Sequence, residues 1–419
     1  MPHNYKVNSK LLFSLSEKFG ELTLTKLVLF FLAIFLAVKH FFQIISQKSL
    51  FPVDKYFLGL DFQVFYNAGE KLIIFGDPYS IERFVTPPLS AFIMVPFTLI
   101  DFNLAKYVFL AINMILLILC FLLVLKMNKR ELSISSFFIF LTISFLSYPF
   151  IFLIDRGNID LIVIFFTLSS FFILRDHPII SGIILSVAFG LKIYPIIFLF
   201  PLLILHKYKT LVSFFVTISF FLVLTPSLWI QYFFDRIIFR VQAIRYDENG
   251  SFFSLFFVPL KALAKVISYQ NEFILIIVSL ILLIVIFGYL IYKISTREKS
   301  NTNLDKNYLM ITYMPFIFFF PMVVYLYQYV FILFLIPYLE SRLSEDSSQN
   351  KFYILLFSLL ISLTQFPVYE FSQFFNFKPL TMMVNLISPV SAFILLTLLI
   401  SPGALYSKNR ITISRSMFL

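Results

Sequence analysis

Cysteine and tryptophan each occur once in this chain, at Cys120 and Trp229, and only 13% of its residues are charged. A single cysteine excludes an intramolecular disulfide and any cysteine metal cage. The four histidines, His3, His40, His177 and His206, are scattered over terminal, apolar and loop positions and give no zinc spacing. The 10 glycines form no phosphate-cradling loop, and neither an internal repeat nor a soluble domain is visible. Soluble chains carry about 25% charged residues, so the shortfall excludes an ordinary globular surface.

Apolar residues fill the gap, making up 60% of the 419 positions, with 59 phenylalanines. Apolar runs of about 20 residues, the length a bilayer demands, recur from Lys26 onward. The formal charge of +11 therefore reads as the Lys and Arg excess of cytoplasmic loops, not as a nucleic-acid surface. Lys6, Lys10 and Lys18 precede an apolar stretch without a small-residue cleavage site, which reads as a retained first span.

These patterns predict an all-α polytopic transmembrane helical bundle of about 12 spans. The spans fall near 26–46, 107–127, 134–154, 159–174, 179–191, 193–206, 210–228, 272–293, 308–325, 328–340, 351–366 and 380–400. Residues 1–25 form a cytoplasmic N-terminal segment, 26–401 a single membrane domain and 402–419 a cytoplasmic tail. External loops then cover about 47–106, 229–271 and 367–379, and this orientation puts the positive excess inside. The proline-rich stretch 87–100 is too short to cross and is expected in the outer interface. Lys192 and Pro195 divide the stretch from Ile179 to His206 into two short helices meeting at Lys192.

Chemistry is expected in the external segments. Asp61 lies in Gly59-Leu60-Asp61-Phe62-Gln63-Val64-Phe65-Tyr66, followed by an amphipathic helix and a turn at Gly76-Asp77-Pro78-Tyr79. For a lone loop carboxylate the plain alternative is a cap or a solvated charge, and Asp77 reads as the cap of its own turn. Lys192, between two apolar half-helices, either faces a cavity or snorkels to the interface. Arg156 and the cluster Arg236, Arg240 and Arg245 offer guanidinium forks that suit phosphate. Asp155 and Asp160 either orient Arg156 and meet hydroxyl groups, or form a buried ion pair joining two helix ends. Tyr66, Tyr79, Tyr194, Trp229 and Tyr329 are candidate sugar platforms, with packing as the alternative for each. The four aspartates Asp61, Asp77, Asp155 and Asp160 could only form a metal site if folding converged them, and none is expected.

Three groups of residues carry a resemblance. They are Asp61-Phe62-Gln63-Val64-Phe65-Tyr66 running through Ala68-Gly69 to Gly76-Asp77-Pro78-Tyr79; Phe84-Val85-Thr86-Pro87-Pro88-Leu89 with Pro96; and Arg156-Gly157-Asn158-Ile159-Asp160 followed by Ser181-Gly182 and Gly190-Leu191-Lys192-Ile193-Tyr194-Pro195. In order and spacing, roughly residues 26–210 resemble the polyprenol-phosphate-mannose-dependent mannosyltransferases, glycosyltransferase family 87 of the GT-C superfamily. Thr86-Pro87-Pro88 stands where the family usually shows Tyr-Pro-Pro, and Tyr325-Leu326-Tyr327-Gln328-Tyr329 where many members carry Trp and His.

The resemblance implies a GT-C bundle with a juxtamembrane helical loop after the first span, and an inverting hexosyltransferase whose donor is a polyprenyl-phosphate sugar, most plausibly mannose. Asp61 is then the general base. Lys192, Arg156 and Arg245 are candidates for the donor phosphate, and Asn158, Asp160, Tyr66 and Gln328 for the sugar or acceptor. It implies membrane lipids and a glycan or glycolipid acceptor as partners, no cofactor, and a bacterial inner membrane with the site on the non-cytoplasmic face. The rival reading is a lipid-linked sugar flippase or other transporter, which would carry midplane ionisable residues and repeated halves.

Overall fold

Helices apolar around most of their circumference, instead of along one stripe, suit a chain partly solvated by lipid. The computed structural model describes residues 24–46, 50, 58–128, 132–238, 252–266, 272–300, 329–336, 360 and 387–400. No strand occurs among them. The order is α1 (Leu24–Ile45), α2 (Leu60–Phe75), a single turn Pro78–Ser80, α3 (Leu89–Phe92), a 3-10 turn Val95–Leu99, and α4 (Phe102–Met127). Next come α5 (Ile134–Leu146), α6 (Tyr148–Arg156), α7 (Asp160–Ile173), α8 (Pro178–Leu191), a 3-10 turn Tyr194–Phe198, α9 (Leu199–Ile204) and α10 (Tyr208–Leu224). Then follow α11 (Pro226–Gln231), a π-helical turn Tyr232–Ile238, α12 (Phe252–Val266), α13 (Glu272–Ser300), α14 (Val330–Leu333) and α15 (Ile387–Ile400).

Two helical stretches, Phe102–Met127 and Ile274–Lys293, are long and apolar enough to cross a membrane, or four spans if each of two bent pairs is one. The chain is thus a helical integral membrane protein. The expected spans 308–325 and 351–366 lie almost wholly outside the described residues, as do Arg240, Arg245 and Gln328.

Two expected spans differ from the structure. The stretch 134–154 is broken at Ser147, where α5 and α6 meet at 68°. Ser147 ends one helix and caps the next, its hydroxyl accepting from Phe150 N at 3.1 Å, and Pro149 suits the first turn. The stretch 210–228 turns by 102° between α10 and the segment from Pro226, because a proline cannot continue the helix before it. The break at Lys192 is as expected, with α8 ending at Leu191 and Lys192 extended at φ −147°, ψ 143°.

Packing brings these pieces together. α8 lies against α7 and α10, α4 against α7, α1 against α5, and α12 against α13 and α15. The segment 60–99 folds back on itself, α2 packing on the turn Pro78–Ser80, on α3 and on Val95–Leu99, while α3 touches α8. Phe62, buried completely, stacks in a cluster with Phe97, Phe102 and Phe109. That cluster fixes the N-terminal end of α2 to the start of α4, whose own first turn is capped by the Asp101 carboxylate.

Candidate active site

The turn from Arg156 to Asp160 is the joint of the site. Gly157 closes α6 with φ +64°, a conformation that glycine adopts without strain. A Cβ there would lie 2.7 Å from Phe62 Cβ, so the turn presses directly on α2. Gly59, just before α2, donates its N–H to the Asp155 carbonyl at 2.7 Å, a second tie between the two segments.

Across this contact Asp61 meets its partners. Arg156 Nε donates to Asp61 Oδ1 at 2.9 Å, and Arg156 Nη2 lies 2.6 Å from the same oxygen. Asn158 Nδ2 donates to the other oxygen, Oδ2, at 2.8 Å. The Asn158 carbonyl in turn accepts from Lys192 Nζ at 2.8 Å. Lys192 also pairs with Asp160 Oδ2 at 2.7 Å, and the Tyr194 hydroxyl donates to Asp160 Oδ1 at 2.6 Å. Two carboxylates and two cations thus form one connected chain, Arg156 to Asp61 to Asn158 to Lys192 to Asp160 to Tyr194, with no formal net charge.

Several candidate residues acquire partners here. Arg156 is held by Asp61. Asp155 is fully buried and accepts from Leu50 N at 2.6 Å. Lys192, expected at the donor phosphate, is held by Asp160 and Asn158, making the pair Asp160–Lys192 the buried ion pair that joins two helix ends. Asp77 caps the turn that follows it, accepting from Tyr79 N at 2.9 Å.

The aromatic candidates are packed. Tyr66 is five residues beyond Asp61 on α2, roughly 140° around the helix. It lies edge-on to Phe102 and donates to the Ile100 carbonyl at 3.0 Å. Partial burial, then the Glu70 and Asp101 carboxylates, push its phenol up. Tyr79, Tyr194, Trp229 and Tyr329 are all buried. Arg236 donates to the Tyr79 and Glu82 carbonyls and so ties the turn after α2 to the π-helical turn. Among the described residues no three of His, Cys, Asp and Glu converge as metal ligands would.

Residues 84–317 match the family model described as glycosyltransferase family 87, more than half of the sequence. The chain belongs to glycosyltransferase family 87. The matched residues of this family 87 chain include Arg156, Asn158, Asp160, Lys192 and Tyr194, whereas Asp61 precedes them. It is also similar to GPI mannosyltransferase 1 of Saccharomyces cerevisiae, 27% identical over 169 residues, 39% of this chain and 40% of that protein. GPI mannosyltransferase 1 of Kluyveromyces lactis is 25% identical over 178 residues, 42% and 43% of the two chains. The family 87 chain therefore spans less than half the length of the curated relatives it matches. Both are yeast proteins, which gives no support to the expected bacterial inner membrane. No solved structure matches it.

Proposed function

We propose that this family 87 protein transfers a hexose, mannose by analogy with the names of its relatives, from a polyprenyl phosphate to a glycan or glycolipid on the non-cytoplasmic face. Asp61 is the base. The observation that carries this reading is the unequal use of its two oxygens: Oδ1 holds both Arg156 nitrogens, while Oδ2 takes one neutral amide. Oδ2 is left with the lone pair better suited to receive a proton.

In the proposed step an acceptor hydroxyl gives its proton to Asp61 as its oxygen attacks the anomeric carbon. The bond from that carbon to the phosphate oxygen breaks, the electron pair leaves with the phosphate, and the configuration inverts. Phosphate leaves readily, so a single carboxylate suffices, unlike hydrolysis of a poor leaving group. Asn158 orients the base, and Lys192 with Asp160 holds the Asn158 amide in the direction that offers its N–H to Asp61. The Oδ1 side of the Asn158 amide faces an ammonium, and the flipped amide would face it with a donor.

The test is transfer of radiolabelled mannose from synthetic polyprenyl-phosphate mannose to membrane glycolipids by purified protein, with Asp61→Asn beside it. Transfer by the wild type and none by a folded variant supports the reading. Equal transfer removes Asp61 as base. No transfer from any lipid-linked sugar by the wild type favours a transporter instead.

A further inference from the structure

A departing phosphate needs positive charge beside it, and both cations of the polar chain are already engaged by carboxylates. Lys106 is not. It lies near the start of α4 with only 4% of its surface exposed. Among the described residues it makes no hydrogen bond or ion pair. Its ammonium lies 5.6 Å from the centroid of Phe102 and 5.4 Å from that of Tyr107. In membrane proteins a lysine within an apolar stretch and without a counter-charge usually faces a ligand or a pathway.

Its position bears on the chemistry of that ligand. The stem of Lys106 crosses Gly59: a Cβ on Gly59 would lie 2.8 Å from Lys106 Cδ and 3.2 Å from Cγ. Gly59 has φ +85° and immediately precedes α2, a 16-residue helix whose first turn no side chain caps. Helix N-termini carry free N–H groups and the positive end of the dipole, and so favour anions. Two independent features, a lysine with a buried stem and no ion pair or hydrogen bond among the described residues, and a helix start that no side chain caps, therefore meet at one glycine, two residues before Asp61.

We propose that Lys106 and the first turn of α2 form the phosphate-binding subsite, taking the phosphate oxygens of a lipid phosphate. This rests on the reading above for the identity of that lipid as the sugar donor. Gly59 is then required twice, for its backbone conformation and for the passage of the lysine stem. The ligand chemistry is a phosphate ester, and the geometry is that of a point charge and amides acting together.

The experiment measures affinity in detergent for farnesyl phosphate, inorganic phosphate and, in nanodiscs, phosphatidylglycerol, using wild type, Lys106→Met and the control Lys126→Met at the far end of α4. Lys106→Met is expected to weaken farnesyl phosphate roughly 10- to 100-fold, the worth of one charge-assisted hydrogen bond. Inorganic phosphate should compete, phosphatidylglycerol should not, and Lys126→Met should match wild type. Because Lys106 has no ion pair among the described residues to lose, the unliganded Lys106→Met protein should melt no lower than wild type.

Equal farnesyl phosphate affinity in wild type and Lys106→Met overturns the proposal, as does a lowered melting temperature with unchanged binding, which marks a packing role. Displacement by phosphatidylglycerol that depends on Lys106 overturns the assignment to a donor in favour of a bilayer lipid. The two readings fail separately. Mannose transfer that is unaffected by Lys106→Met ends this inference and leaves the transferase reading. Lys106-dependent phosphate binding without transfer from any polyprenyl donor does the reverse.

Discussion

The polar chain has two ion pairs, and they are built for different work. Arg156 and Asp61 keep 19% and 16% of their side-chain surfaces exposed, whereas Lys192 and Asp160 keep 9% and 0%. On the proposed reading the outer pair can exchange one partner for a substrate at modest cost, since it is partly exposed. The inner pair cannot, because separating two buried charges strands one of them. On the proposed reading, reactivity and rigidity are divided between neighbouring pairs that share Asn158 as their link.

This division predicts opposite responses. Asp61→Asn should lower transfer about 10²- to 10⁴-fold with little change in thermal unfolding, as the shape of the side chain is kept. Lys192→Met should destabilise the protein by about 3–5 kcal/mol, measured by denaturant unfolding in detergent, and adding Asp160→Leu should restore most of it. If the double variant is no better than the single, the inner pair is not what Lys192 stabilises. Gly157→Ala strikes the joint of both pairs, where strain at φ +64° and the approach to Phe62 should cost about 1–3 kcal/mol. Arg156→Gln should cost only about 0.5–1 kcal/mol, as expected of a partly exposed pair; a loss as large as that of Lys192→Met would erase the contrast.

An effect of similar size to that of Arg156→Gln concerns the turn after α2. Burial, and after it the Tyr232 phenol, push the Tyr79 phenol well up, against a smaller opposing pull from Arg236. Its hydroxyl donates to the Thr86 carbonyl at 3.0 Å. A raised folded value means that this contribution is complete below about pH 10, the ordinary phenol value. Above that the unfolded chain ionises first and stability falls. Tyr79→Phe should cost about 1 kcal/mol at neutral pH and flatten the alkaline decline, which unfolding measured across pH would reveal.

Local signals carried much of this into the sequence. A helix after Asp61, a turn at Gly76-Asp77-Pro78 and a break at Lys192 each follow from glycine, proline or charge set against apolar neighbours. The ties between distant segments do not, and Arg156 reaches Asp61, 95 residues away, because Gly157 docks on Phe62. The break at Ser147 was available in Ser147-Tyr148-Pro149, a cap followed by an early proline, but a continuous apolar run outweighed it. Lys106 closes the external loop 47–106 in the sequence reading, where a lysine needs no explanation, whereas the helix begins at Phe102 and takes Lys106 into its first turns.

The separation of Asp61 from Arg156 also sets an order of assembly. The two are 95 residues apart, while Asn158 and Lys192 are 34 apart. At synthesis rates of about 5–20 residues per second, the carboxylate at 61 waits roughly 5–20 s for its guanidinium. Asp61 therefore spends its first seconds outside the ribosome as a lone anion, which favours keeping α2 at the water-facing surface of the bilayer until Arg156 arrives.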